Sequence, residues 1–222
     1  MLSFCNVTKN YKLDSETTIT PVKDVTLDVD QGEFIIIVGR SGTGKTTLLN
    51  LAAGLVKPTS GQIMIDNLDL AELDDKQLSS LRSNNIGFIF QFPSLLPSLT
   101  VRDNVSLPAI FKDRKNGANA RAVELISTLG LADKMGVFPR QLSAGEQKRV
   151  VIARSLINHP QVILADEPTS DLDTRTEQDV MGILRDINSR GVTFLLVTHS
   201  LELIPFATRA FEMKQGYLNQ IR

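Results

Sequence analysis

Gly39-Arg-Ser-Gly-Thr-Gly-Lys-Thr46 is the strongest indication of the fold in this sequence, because it fits the pattern of Gly, four residues, then Gly-Lys-Ser/Thr. The apolar run 34–38 precedes it, and a helical pattern that stops at Gly54 follows it. A glycine-rich loop between a buried strand and a helix is the context expected for a phosphate-binding loop, or P-loop. An ordinary turn would not require Lys-Thr at this spacing, so we predict a nucleotide site here.

The chemistry of a nucleotide tail explains the composition of this loop. Phosphates carry concentrated negative charge, and glycines allow backbone amides to converge on them at a helix N-terminus. Lys45 supplies a positive charge for the β and γ phosphates, and the Thr46 hydroxyl is suited to bind Mg²⁺. The predicted nucleotide-binding residues of the loop are Gly39, Ser41, Gly42, Thr43, Gly44, Lys45, Thr46 and Thr47.

A second candidate site lies at the end of another apolar strand, Val162-Ile-Leu-Ala-Asp-Glu167. A carboxylate at a strand end beside a P-loop can hold Mg²⁺ through its water shell, which favours Asp166 as a metal residue. Glu167 would then face the attacking water as general base or water-orienting group. An Asp-Glu pair alone is typical of a solvated loop, and its combination with the P-loop favours the functional interpretation.

Short apolar runs alternate with longer helical patterns, which predicts an α/β fold with a mainly parallel sheet around a P-loop NTPase core. The strands of this core are predicted at 34–38, 86–90, 162–165 and 194–197. Alternating residues at 22–29 predict an N-terminal antiparallel β subdomain, and a further strand is expected at 62–65. Pro93, Pro97 and Pro108 interrupt the next region, where helical spacing at 120–129 predicts an inserted helical lobe. The predicted organisation is a single domain, 1–222, with its core at 1–91 and 142–222 and its lobe at 92–141.

Composition limits the classes of function. The 222 residues carry a net charge of −1, so we expect no nucleic-acid partner, and no apolar run approaches the roughly 18 residues that span a bilayer. Cys5 is the single cysteine and is expected to be a small apolar residue of the first strand, in a cytoplasmic protein. Arg114 and Lys115 form the densest basic spot, which we interpret as solvated surface.

Several further segments resemble the motifs of ABC ATPases, in the order that this family has them. They are the adenine-stacking aromatic residue (Tyr11), the Q-loop glutamine (Gln91), the Leu-Ser-Gly-Gly-Gln signature (Leu142-Ser-Ala-Gly-Glu146), the D-loop (Ser170-Asp-Leu-Asp173) and the switch histidine (His199). The resemblance covers essentially the whole chain. The sequence departs from the family's usual residues at Ala144, Glu146 and Asp171. Members of the family act as dimers, and we expect these departures to alter the lifetime of the dimer.

The resemblance implies an enzyme that converts ATP and water to ADP and phosphate, with ATP and Mg²⁺ as its ligands. The implied catalytic residues are Lys45, Gln91, Glu167 and His199, and the implied metal residues are Thr46, Gln91 and Asp166. The resemblance also implies a head-to-tail homodimer around two Mg-ATP. Ser143, Gly145 and Glu146 of each subunit would then contact the nucleotide on the other.

The implied membrane partner is a separate permease, which would hold this chain on the cytoplasmic face of the inner membrane. We expect its docking groove beside Gln91, although the apolar residues Phe92, Leu95, Leu96 and Pro97 could equally form the core of the lobe. Within the family, the segments 87–92, 95–97, 104–108 and 164–169 are similar to lipoprotein-release and macrolide-export ATPases, which implies export or extrusion. The alternative is regulation of a membrane partner in cell-envelope or cell-division signalling, without transport.

Overall fold

A computed structural model describes residues 1–14, 17–110 and 117–222, so Arg114 and Lys115 lie outside the described residues. The strands in these ranges are β1 (Leu2–Lys12), β2 (Thr18–Val29), β3 (Phe34–Val38), β4 (Ser60–Ile65), β5 (Leu68–Asp69), β6 (Ile86–Ile89), β7 (Val162–Asp166), β8 (Thr193–Thr198), β9 (Arg209–Lys214) and β10 (Tyr217–Gln220). The α-helices are α1 (Lys45–Ala52), α2 (Asp75–Asn85), α3 (Val101–Ile110), α4 (Ala118–Thr128), α5 (Ala144–Leu156) and α6 (Thr174–Asn188). Short 3₁₀ turns occur at Ala132–Lys134, Pro139–Gln141 and Leu201–Phe206.

A six-stranded sheet forms the centre of the molecule, in the order β10-β9-β3-β8-β7-β6. The pairs β9-β3, β3-β8, β8-β7 and β7-β6 are parallel, and only β10 pairs antiparallel, at one edge. The carboxyl ends of β3, β7 and β8 therefore lie side by side, and the loops that follow them meet at one edge of the sheet. The predicted α/β fold with a mainly parallel sheet is confirmed.

The second sheet is antiparallel throughout and has the order β2-β1-β4-β5. Its buried side chains, such as Phe4 and Val25, share one core with α1 and with Ile35 and Ile37 of β3. The predicted N-terminal antiparallel subdomain is confirmed. This sheet covers one face of the central sheet and encloses the helix that follows the P-loop.

Helices cover the other face of the central sheet. Phe34 and Ile36, the alternate residues of β3, share this second core with α3, α4, α5 and α6. The rings of Phe34 and Phe194 stack there with their centroids 4.9 Å apart. Because β3 has a core on each face, all five of its residues are buried, as its continuous apolar sequence predicts.

Three local predictions need correction. Pro108 does not break the chain, since α3 runs past it to Ile110 and is kept helical by packing of Val101, Val105 and Ala109 in the core. The strand predicted at 86–90 ends at Ile89, and Phe90 is exposed. Cys5 lies in β1 as expected, but its side chain faces solvent.

Residues 92–141 include α3 and α4, which pack against each other and against α5. Leu95 packs against the same core, whereas Phe92 and Leu96 are exposed. The apolar residues after Gln91 therefore divide between the lobe's core and its surface. In the described ranges, no helix has both the length and the apolar composition needed to cross a bilayer.

Candidate functional site

The P-loop connects β3 to α1, and two of its glycines are required by close contacts. Gly44 has a φ of 107°, and a Cβ at this position would clash with the carbonyl oxygen of Pro21. A Cβ on Gly39 would lie 2.6 Å from the carbonyl oxygen of Met213. Both glycines therefore let the loop pass between β2 and β9, where a larger residue would displace it.

Lys45 is the first residue of α1 and is buried, with 6% of its surface exposed. Its Nζ donates hydrogen bonds to the carbonyl oxygens of Gly39, at 2.7 Å, and Arg40, at 3.2 Å. The same Nζ lies 3.4 Å from Oε1 of Glu167. The ammonium group is thus folded back against its own loop, at the point where that loop meets the end of β7.

Asp166 is the last residue of β7, and its carboxylate accepts a hydrogen bond from the Thr46 side chain. Burial raises the pKa of Asp166, and the charge of Glu167 raises it further. The hydrogen bond from Thr46 and the charge of Lys45 act in the opposite direction. Since the pKa of Asp166 is raised overall, neighbouring groups of the protein compensate its negative charge only in part.

Glu167 has a φ of 46°, in the left-handed region that residues other than glycine rarely adopt. Its N–H donates to the carbonyl oxygen of Val197, at 2.9 Å, which ties this turn to β8. Its Oε2 accepts a hydrogen bond from the His199 N–H, at 3.2 Å, and lies 2.9 Å from His199 Nδ1. Because an ionised carboxylate can only accept, Nδ1 donates in this contact. Backbone strain of this kind is common at functional sites, where surrounding contacts hold it.

These residues surround a cleft of about 740 Å³ at the carboxyl edge of the central sheet. It is lined by Pro21, Arg40, Ser41, Gly42, Gly44, Lys45, Thr46, Thr47, Gln91, Asp166, Glu167 and His199. The structure thus brings together the P-loop, the Q-loop glutamine, both acidic residues and the switch histidine. Sequence reasoning missed Pro21 and Arg40 as lining residues: Arg40 occupies an unspecified position of the P-loop pattern, and Pro21 comes from a distant strand.

Besides Tyr11, five predicted nucleotide-binding residues do not line this cleft. Gly39 and Thr43 contribute to the conformation of the loop instead. Gly39 packs closely against Met213, and the Thr43 hydroxyl donates a 2.9 Å hydrogen bond to the Arg40 carbonyl oxygen. The others, Ser143, Gly145 and Glu146, belong to the start of α5.

Tyr11, the predicted adenine-stacking residue, is also absent from the lining of the cleft. It lies near the end of β1, opposite Ile19 of β2, and is 38% exposed. Lys9 Nζ lies 5.0 Å from the centre of its ring. Its contact with adenine stays a prediction.

The start of α5 forms a second candidate anion site. Ser143 is the N-cap: its hydroxyl accepts from the Glu146 N–H at 3.3 Å, and its own N–H donates to the Glu146 carboxylate at 2.8 Å. This backbone hydrogen bond lowers the pKa of Glu146. Gly145 is needed here, because a Cβ would lie 2.6 Å from Cγ2 of Thr176. Glu146, one of the departures from the signature, therefore serves as part of the helix cap.

The side-chain oxygens beside the P-loop are suitable ligands for Mg²⁺. Thr46 and Asp166 offer a hydroxyl and a carboxylate, the oxygen ligands that this ion prefers. Among the described residues, no group of three or more His, Cys, Asp or Glu side chains could hold a metal ion by itself. A site of this composition fits an ion that keeps waters and takes its remaining ligands from nucleotide phosphates.

Comparison with known proteins places this geometry in a family. Residues 22–170 match the ABC transporter family. The chain belongs to that family. It is 43% identical to the ABC transporter ATP-binding protein MJ0796 of Methanocaldococcus jannaschii, over 97% of this chain and 94% of that protein. It is 40% identical to the ABC transporter ATP-binding protein YknY of Bacillus subtilis, over 97% of this chain and 94% of that protein.

Longer relatives include the macrolide export ATP-binding/permease protein MacB of Salmonella typhimurium, which is 44% identical over 97% of this chain and 33% of MacB. The chain thus spans about one third of MacB's length. A dimeric structure of MJ0796 in a post-hydrolysis state, bound to ADP and Pi, superposes with a TM-score of 0.90 and 41% identity over 100% of this chain and 99% of that one. The predicted ABC-type ATPase and ATP-binding transporter subunit are confirmed, as is the likeness to macrolide-export proteins.

Proposed function

We propose that two copies of this chain enclose two Mg-ATP molecules head to tail, with the P-loop of each copy facing Ser143 and Gly145 of the other. The observation that carries the proposal is that the cleft holds Lys45 and Glu167 but is not lined by Ser143 or Gly145. A chain whose second anion site lies outside its own cleft can use that site on another copy. The structures of MJ0796, which are dimeric and of which one is bound to ADP and Pi, support a nucleotide-linked dimer.

Nucleotide binding begins with the P-loop in this proposal. The backbone amides of the loop and the Lys45 ammonium hold the phosphates, which replace the Gly39 and Arg40 carbonyl oxygens as partners of Nζ. Because Nζ already lies 3.4 Å from Glu167, the terminal phosphate is bound close to that carboxylate. Tyr11 would stack on adenine from the end of β1, as the family resemblance implies.

The magnesium site would be formed by Thr46, Asp166 and Gln91. Bound there, Mg²⁺ would supply positive charge that offsets the charge of the nucleotide phosphates. The same ion would offset the buried negative charge of Asp166. Gln91 reaches the same cleft from the end of β6.

Hydrolysis is assigned to Glu167 and His199. Glu167 orients the attacking water and accepts its proton, while the two hydrogen bonds from His199 hold Oε2 in place. The strained turn at Glu167 is fixed by β8, so the carboxylate is aimed without reorganisation during the reaction.

A mixing experiment tests whether the site is shared. Lys45→Ala removes the phosphate-binding charge, and Ser143→Arg blocks the second anion site, so each variant alone should lose nearly all ATPase activity. A mixed dimer contains one site with both parts intact, and the mixture should therefore recover part of the wild-type rate. A mixture that forms dimers with ATP and stays inactive would contradict the proposal, and wild-type chain mixed with each variant provides the control.

We further infer that the partner is a separate membrane permease that docks in a groove of about 500 Å³ between α2, β6, α3 and α5. Phe88, Phe90, Leu107 and Pro108 supply its apolar surface, and Phe90 is 42% exposed. The similarity to MacB, an ATP-binding/permease protein, supports a permease as the partner. The chain would then be held at the cytoplasmic face of the inner membrane and would drive export of a small molecule or lipoprotein.

A further inference from the structure

Lys148 is a buried cation to which the proposed mechanism gives no role. It lies on α5 with 2% of its surface exposed. Its Nζ donates a hydrogen bond of 2.9 Å to the backbone carbonyl oxygen of Gln91, and no ion pair joins it to a carboxylate in the described residues. Burying an ammonium group is costly unless it is paired, so this side chain is unusual for a purely structural position.

Arg154 repeats this contact further along the same helix. Its Nη1 donates to the carbonyl oxygen of Ser94, at 2.8 Å, and its Nη2 donates to that of Pro93, at 3.0 Å. Six residues separate the two cations, which corresponds to about 9 Å along the helix axis. The loop at 91–94 is therefore tied to α5 by two cations and three of its own carbonyl groups.

The surroundings of the two cations differ. Burial lowers the pKa of both side chains, and the charge of Asp171 opposes the effect at Lys148. Asp171 follows Glu167 by four residues, on the loop that precedes α6. Lys148 therefore ties α5 to the loop after β6, and the charge of Asp171, on the loop after β7, partly offsets the cost of burying its ammonium group. Arg154 lies in the groove at the other end of the 91–94 loop.

We propose that Lys148 and Arg154 are positioning residues that hold the 91–94 loop to α5, so that Gln91 moves together with the helix that begins at Ser143. This inference rests on the proposed role of Gln91 at the nucleotide site. The positioning of Gln91 requires only the ATPase activity.

Lys148→Met tests this role, because methionine has a similar length and cannot donate to Gln91. We expect the Kd for ATP to stay within twofold, since the P-loop is untouched, and kcat to fall by about 10- to 100-fold as Gln91 loses its position. Lys148→Arg, which keeps a donor, should restore at least half of the lost rate. Lys76→Met makes the same chemical change on the exposed surface of α2 and should leave both constants unchanged.

Two results would overturn the proposal: a folded Lys148→Met variant with the wild-type kcat, or a joint loss of kcat and ATP affinity that Lys148→Arg does not restore. If Lys148→Met does not fold, Arg154→Met decides, because it releases the same loop from its other end. A lower kcat with unchanged Kd again supports the proposal, and an unchanged kcat contradicts it. The kcat and the Kd for ATP are measured independently of ATP-induced dimerisation. A chain that fails to form the shared site is therefore recognised in a different experiment.

Discussion

Asp166 and Glu167 are consecutive carboxylates with different surroundings. Asp166 ends a buried strand, bonded to Thr46, while Glu167 turns into the left-handed region and is held by His199 and Lys45. The change of backbone direction between them separates the two side chains, so one can serve the metal and the other the water. The φ angle of Glu167 thus places two consecutive carboxylates in different surroundings, as their two proposed roles require.

Asp166→Asn is expected to stabilise the nucleotide-free protein while abolishing Mg²⁺-dependent hydrolysis. Burial raises the pKa of Asp166 above its unfolded value, so in wild type this group's stabilising contribution is present below the unfolded pKa and is lost as pH rises through the folded one. Asparagine keeps the shape and the bond to Thr46 without the charge. We expect a gain of about 0.5–2 kcal/mol in the free energy of unfolding near pH 8, without Mg²⁺.

The gain should shrink as pH is lowered toward the range where Asp166 binds a proton. Urea unfolding at several pH values measures it. A gain that is constant with pH would show that the charge of Asp166 is not its source.

Tyr11→Ala tests the predicted adenine contact. If the ring stacks on the base, its loss should weaken ATP binding by about 1–3 kcal/mol. Tyr217→Ala is a matched control, because Tyr217 is also an exposed strand tyrosine with a lysine near its ring, Lys23 at 5.4 Å. Titration with fluorescent ATP measures both, and equal Kd values for the two variants and wild type would refute the stacking.

The groove between α2, β6, α3 and α5 is the proposed docking surface for the permease, and mutation of exposed aromatic residues in it and next to it tests this role. Phe90 lines this groove, and Phe92 lies two residues further along the chain, outside its lining; they are 42% and 67% exposed. Replacing both by serine should leave the fold and the ATPase activity of the isolated chain intact. If they are anchors for the permease, membrane association should weaken by at least about 2 kcal/mol, or about 30-fold.

Co-sedimentation with host membranes measures this association. Leu68→Ser, at a residue of β5 that is 51% exposed, changes a similar side chain outside the groove and should have no effect. Equal sedimentation of the double variant and wild type would contradict docking in this groove.

The sequence predicts the elements whose apolar residues are continuous or strictly alternating, such as β3, β7 and β8. It gives no prediction for α2, which buries only Leu78 and Leu81 and is recognisable mainly by its capping box at Asp74. At Pro108 the local sequence is misleading. A proline predicts the end of a helix, but α3 continues past it because the helix packs in the core. Order within the sheet depends on contacts distant in sequence, so neither β9-β3 pairing nor the edge strand β10 follows from local pattern.

At the scale of the whole molecule, most of the cleft could be predicted from motifs because one sheet edge collects the ends of β3, β6, β7 and β8. Residues that reach the site through tertiary packing could not. Pro21 arrives from the second sheet, and Lys148 faces a backbone carbonyl group, which no sequence pattern encodes. Motifs therefore predict most of the residues that line the cleft, and tertiary packing determines the contacts that motifs do not describe.

Glu167→Gln tests the mechanism of the whole assembly. Glutamine keeps the size of the side chain and an oxygen for His199 but removes the basic carboxylate, so ATP should still bind while kcat falls by about 10²- to 10⁴-fold. If ATP joins two subunits, blocked hydrolysis should trap them, and the variant should elute as a dimer with Mg-ATP and as a monomer with ADP.

Adding Ser143→Arg to the Glu167→Gln chain separates trapping from nonspecific association. The arginine blocks the second anion site without touching the P-loop, so each chain should still bind ATP and should remain a monomer by light scattering. A dimer that persists in the double variant, or that forms without nucleotide, would mean that the contact between copies does not pass through the phosphates. A Glu167→Gln chain that hydrolyses ATP at the wild-type rate would show that the Glu167 carboxylate takes no part in the reaction.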